Sequence, residues 1–148
     1  MTIDLPAGNA PAPAPVESVV TTRDGSGPRV LLVEDEPDLA SMQRRQLEHL
    51  GYRVTVHTSS VEALEDFRSR PAGFDLLVTD ATMPRMTGAE LTREIVGLRA
   101  DLPVLMVTGG DGADPEVLKR IGVRRVLRKP HTSRELERAI RDTLRPAE

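Results

Sequence analysis

The sequence predicts an α/β domain in which five parallel strands form one sheet, in the order 2-1-3-4-5, with helices on both faces. Three features carry that expectation. Short runs apolar at nearly every residue alternate with longer stretches in which apolar residues recur every three or four positions. The alternation repeats five times, and Gly, Pro or Asp punctuates most junctions. A continuously apolar run suits a strand covered on both faces. Repeated strand-helix alternation implies right-handed crossovers and therefore a parallel sheet.

The elements follow in order. Residues 1–28 read as a disordered tail: Ala and Pro dominate Pro6 to Pro15, and Asp24-Gly25-Ser26-Gly27-Pro28 is turn-rich. Val30-Leu31-Leu32-Val33 is the first strand and ends in Glu34-Asp35-Glu36-Pro37. Pro37 suits a first helical turn, and Leu39, Met42, Leu47 and Leu50 form a helical stripe that stops at Gly51. Arg53 to Thr58 alternates as a second strand, after which Ser60 is placed to cap a helix carrying Val61, Leu64 and Phe67. Phe74 to Thr79 is the third strand, broken by Asp80 and a loop through Gly88. The third helix runs from about Ala89 to Arg99, with Leu91, Ile95 and Leu98 as its apolar face. Pro103 to Thr108 is the fourth strand, closed by Gly109-Gly110-Asp111-Gly112. A short helix from Asp114 to Ile121 stops at Gly122, Val123 to Arg128 is the fifth strand, and Thr132 or Ser133 opens a last helix with Leu136, Ile140 and Leu144. Five strands connected in this way favour the flavodoxin-like order, whose ligands lie beyond the carboxyl ends of the strands.

Composition narrows the function. The 148 residues are 39% hydrophobic and 29% charged, as in a globular, soluble domain. No stretch reaches the roughly 18 apolar residues of a membrane span, and no secretory signal opens the chain. Zero cysteines exclude disulfides and thiolate metal sites and fit a cytoplasmic location. Tyr52, Phe67 and Phe74 are the only aromatics, which argues against base stacking on single-stranded nucleic acid. From Lys119 to Arg145 ten Lys or Arg stand against three Asp or Glu. That basic stretch is either a solvated helical face or a contact for an acidic partner or nucleic acid.

The proposed topology brings specific residues to one edge. Glu34 and Asp35 follow strand 1, Asp80 follows strand 3, Thr108 ends strand 4 and Lys129-Pro130 follows strand 5. Taken singly, the acidic residues could cap a helix or form a turn, and Lys129 could be a solvated loop residue. Together they are the parts of a phosphoryl-transfer site: an oxygen nucleophile, hard oxygen ligands suited to Mg²⁺, a cation and a hydroxyl donor.

Four segments then resemble one family, the receiver domain of two-component response regulators. They are Val33-Glu34-Asp35-Glu36-Pro37, Thr79 through Gly88, Val107-Thr108-Gly109 and Lys129-Pro130, and the likeness spans about Arg29 to Leu144. The resemblance implies a receiver domain over 29–146, with Asp80 accepting phosphate from a histidine kinase or phosphotransfer protein. It implies Mg²⁺ (or Mn²⁺) held by Glu34, Asp35, Asp80 and the backbone carbonyl of Thr82. Thr108 and Lys129 would contact the phosphoryl group, and the Lys129–Pro130 bond would be cis. Kinase docking would use the first helix and the loop around His131.

Two departures stand out. Val126 occupies the position of the family's aromatic switch residue, and Gly110 lies two residues after Thr108, where a larger side chain is usual. The glycines and the Leu-Arg-Lys-Pro ending look like receivers of hybrid sensor kinases, and the loop they form is expected to be mobile. The expected function is a stand-alone receiver in a phosphorelay, not an enzyme, with no output domain, signalling through protein contact. A homodimer through the last helices is open to it, whereas DNA binding lacks a recognition helix. Two alternatives are a phosphorylation-insensitive binding module and an aspartate-nucleophile phosphohydrolase. The hydrolase needs a second Asp where Thr82 stands.

Overall fold

A computed structural model describes residues 27–109 and 114–145. The tail expected over 1–28 lies almost wholly outside the described residues, as do Gly110 and Gly112 and the loop mobility expected of them. The strands are β1 (Arg29–Val33), β2 (Arg53–His57), β3 (Leu76–Asp80), β4 (Val104–Thr108) and β5 (Arg125–Arg128). They pair in parallel in the order 2-1-3-4-5, which is the predicted topology. The helices are α1 (Pro37–His49), α2 (Ser60–Ser69), α3 (Gly88–Leu98), α4 (Pro115–Ile121) and α5 (Ser133–Leu144).

Two apolar layers cover the sheet because successive strand residues point to opposite faces. Leu31, Val33, Leu77, Val104 and Met106 pack with Phe67, Leu91, Ile95 and Leu118 on the α2–α3–α4 side. Val30, Leu32, Val78, Leu105 and Val107 pack with Leu47, Leu136 and Ile140 on the α1–α5 side. The central strands β3 and β4 are buried at every residue, as their unbroken apolar runs require. Phe67 and Phe74 stack with ring centroids 5.9 Å apart, so the chain's two phenylalanines sit together in one layer.

Four local expectations are corrected. Ser59, not Ser60, caps α2: its hydroxyl accepts from the Glu62 amide, and Ser60 is the first helical residue. In α1 the buried stripe is Ala40, Gln43 and Leu47, and Met42 is 44% exposed. The small Ala40 lets the helix lie close to the sheet, which turns Met42 outward beside α5. Leu98 is 48% exposed, being the last residue of α3 before the chain turns away at the extended Arg99. Phe74 and Val123 precede their strands rather than open them. Elsewhere the stop and start signals hold. Thr87 and Thr132 each form a capping box with a glutamate, and Gly122 ends α4 at φ +112°.

Candidate phosphoryl-transfer site

The carboxyl edge is assembled by register. Val33 pairs with Thr79 and Asp80 with Val107, so the residues after β1 and at the end of β3 become neighbours. Asp80 is the last residue of β3 rather than the first of a loop, and it is buried together with Glu34 and Thr108. Glu34, Asp35 and Asp80 each place a carboxylate oxygen within 4.8 Å of the others. Lys129, just past β5, places its ammonium 3.5 Å from Asp80 Oδ2 and 3.8 Å from Glu34 Oε1. The Lys129 amide donates to the Thr108 carbonyl at 2.8 Å, which ties the end of β5 to the end of β4. The Lys129–Pro130 peptide is cis.

The cluster carries more negative charge than it neutralises. Burial, and then the charge of Asp80, push the Glu34 carboxyl up from 4.5 to about 7, against the opposing pull of the Glu36 amide and Lys129. A buried carboxylate beside another carboxylate disfavours its own ionised form. An added cation relieves this, and the donors are carboxylate oxygens without sulfur or imidazole among them, the set that suits Mg²⁺. These residues fit that ion.

The loop joining β3 to α3 forms the rim. Its ends meet where the Gly88 amide donates to the Ala81 carbonyl at 2.9 Å, and Met83 plugs into the core. Thr82 is exposed at the start of this loop. Arg85 takes φ +70°, and the Met86 amide donates back to the Pro84 carbonyl at 2.8 Å, the bond pattern of a γ-turn. The Ser60 hydroxyl donates to the Met86 carbonyl at 2.8 Å. Nothing local in the sequence signals that contact: the pattern offers Ser60 as a cap, the role Ser59 fills, and the two partners lie 26 residues apart. Val126 is half-buried opposite Met106 and packs against the α2–α3–α4 layer.

Comparison with known proteins agrees with this fold. A family model described as "Response regulator receiver domain" matches residues 30–141. The Arabidopsis thaliana "Two-component response regulator ARR11" is 38% identical over 113 residues, 75% of this chain and 21% of its own length. "Response regulator MprA" of Mycobacterium leprae is 38% identical over 119 residues, 79% of this chain and 51% of its own length. The chain thus spans between about a fifth and a half of these curated relatives. Among solved structures, a response regulator receiver domain protein from Clostridium thermocellum superposes with a TM-score of 0.75 at 29% identity, covering 80% of this chain and 94% of that one. The non-phosphorylated HemR receiver domain of Leptospira biflexa does so with a TM-score of 0.72 at 33% identity, covering 82% of this chain and 100% of that one.

Proposed function

From the premise that this chain belongs to the response regulator receiver domain family, we propose that Asp80 is its phospho-acceptor and that a partner's phosphohistidine is the donor. The observation that carries this is the convergence of Glu34, Asp35, Asp80 and Lys129 at one edge of the sheet. The family supplies the reaction class, and the arrangement supplies the roles. An Asp80 carboxylate oxygen attacks the phosphorus as the P–N bond to the histidine breaks. The imidazole departs with the bonding pair, which a proton then meets, and Asp80 is left as an acyl phosphate.

Glu34, Asp35, Asp80 and the Thr82 carbonyl would hold Mg²⁺ (or Mn²⁺), which when bound supplies positive charge for the phosphoryl oxygens. Lys129 stands where it can exchange its contact with Asp80 for one with a phosphoryl oxygen. Thr108, at the end of the neighbouring strand, offers a hydroxyl as donor. The partner would dock in the open groove between α1 and the start of α5. Met42, Gln46, Pro130, His131 and Ser133 line that groove, and the Gln46 amide spans it to the Ser133 hydroxyl at 2.9 Å. Readout through an aromatic ring is closed to Val126, so the phosphorylated state must be read through backbone movement at the β4 and β5 ends.

Intact-mass measurement with acetyl phosphate tests the reading. The wild-type chain should gain one phosphoryl group when Mg²⁺ is present and none in EDTA, and Asp80→Asn should gain none. Incorporation at the wild-type level in Asp80→Asn would overturn the assignment.

A further inference from the structure

Resting on the Mg²⁺ reading above, we propose that Ser60 is a positioning residue for the phosphorylation site: its hydroxyl latches the strained loop that carries Thr82. Two adjacent serines open α2, and only one is needed as the cap. Ser59 fills that role. The hydroxyl of Ser60, on a residue 2% exposed, is therefore free to bond across to the Met86 carbonyl on another connection of the sheet.

The bond matters because of where it lands. The loop from Ala81 to Thr87 is fixed at its ends by the Ala81 amide on the Val107 carbonyl, by the Gly88 amide on the Ala81 carbonyl and by the Thr87 capping box. Between those ends, buried Met83 holds one side and the Ser60 hydroxyl the other. Arg85 sits between them at φ +70°, a conformation that a side chain with a Cβ disfavours and that persists only where surrounding contacts impose it. Removing the hydroxyl frees the Met86 carbonyl. The γ-turn can then relax toward negative φ, and the loop that presents Thr82 moves with it. Glu34 and Asp35, which directly follow β1, and Asp80, which ends β3, stay in place.

The consequence is specific. Ser60→Ala should weaken Mg²⁺ binding about five- to tenfold, the equivalent of one net hydrogen bond, and should speed exchange of the Met86 amide in EDTA. Arg85→Gly removes the φ penalty at its source, so Ser60→Ala with Arg85→Gly should return most of the lost affinity. A residue that merely stabilised α2 would show no such rescue.

Titration calorimetry with Mg²⁺ on the four chains, with amide exchange on the metal-free forms, decides the matter. Wild-type affinity in Ser60→Ala, or a loss that Arg85→Gly does not restore, would overturn the latch. If the wild-type chain itself takes up no Mg²⁺, the functional reading fails instead. The latch is then judged on the exchange of the Met86 amide alone, and unchanged protection in Ser60→Ala sinks it.

Discussion

The Lys129 ammonium lies 3.5 Å from Asp80 and 3.8 Å from Glu34, so one cation from the end of β5 faces two buried carboxylates carried by two other segments. Lys129 is about one-third exposed, which screens the pair and limits its worth to stability to about 1 kcal/mol or less. Glu34, already pushed up to about 7, takes up a proton when its cation is removed, which limits the cost further. Lys129→Ala should therefore stay folded by circular dichroism. It should nevertheless blunt the shift of the residue-129 amide expected when the wild type is treated with acetyl phosphate, because the ammonium that stands beside Asp80 is gone. A full residue-129 response in the variant would remove Lys129 as the phosphate contact.

Glu34 also makes stability depend on pH. Its folded value, raised from 4.5 to about 7, means that the native state binds the extra proton between those limits. Stability of the metal-free chain is thus fully retained below about pH 4.5 as far as this group is concerned, and is lost as pH rises through 7. The loss is bounded at about 3 kcal/mol. Thermal melts in EDTA should show this decline, Glu34→Gln should flatten it, and saturating Mg²⁺ should offset it at pH 7.5 more than at pH 5.

Asp66 sets the opposite limb. The Arg70 guanidinium, and then His57 at 2.9 Å, hold its carboxyl down from 3.8 to about 2. A lowered carboxylate contributes stability that is present above about pH 4 and lost as pH falls through 2. Arg70 is half exposed, so screening reduces the contribution to roughly 1 kcal/mol. Asp66→Asn should be less stable than wild type at pH 6 by about that amount, and the gap should close near pH 2 in denaturant titrations.

Much of this was legible in the sequence, and the reason is topological. Continuous apolar runs betray strands buried on both faces, and once Val30 to Val33 and Leu76 to Val78 are neighbours, Glu34 and Asp80 must meet. The strand order alone brings the ends of β1 and β3 side by side. What stayed hidden was set by tertiary contact. The 3.6-residue period admits a stripe through Met42 as readily as one through Ala40, and only the seat of α1 on the sheet decides between them. Ser60 and Met86 share no local pattern, and the φ of Arg85 is imposed by the loop around it rather than preferred by arginine.

Gly88 supplies the last test, since its position beside the site is steric. A Cβ there would lie 2.2 Å from the Asp80 carbonyl oxygen and 3.0 Å from the Ala81 Cα. Both are backbone atoms, so no side chain can swing away to relieve the overlap. The Asp80 carbonyl is held in turn by the Thr79 hydroxyl at 3.0 Å, and the Gly88 amide is needed for the bond that closes the loop. Gly88→Ala must therefore push α3 outward or displace the end of β3. The cost should be about 2 kcal/mol or more, in the range of overpacked cores. Displacing Asp80 should also slow phosphate uptake from acetyl phosphate in whatever fraction remains folded. Gly97, around which an added Cβ meets no atom within 4 Å, is the control. Gly97→Ala, exposed in the last turn of α3, should gain up to about 1 kcal/mol in urea titrations, with phosphate uptake unchanged. Equal stability of the two alanine variants would mean that the close approach of Gly88 to Asp80 does not constrain the site.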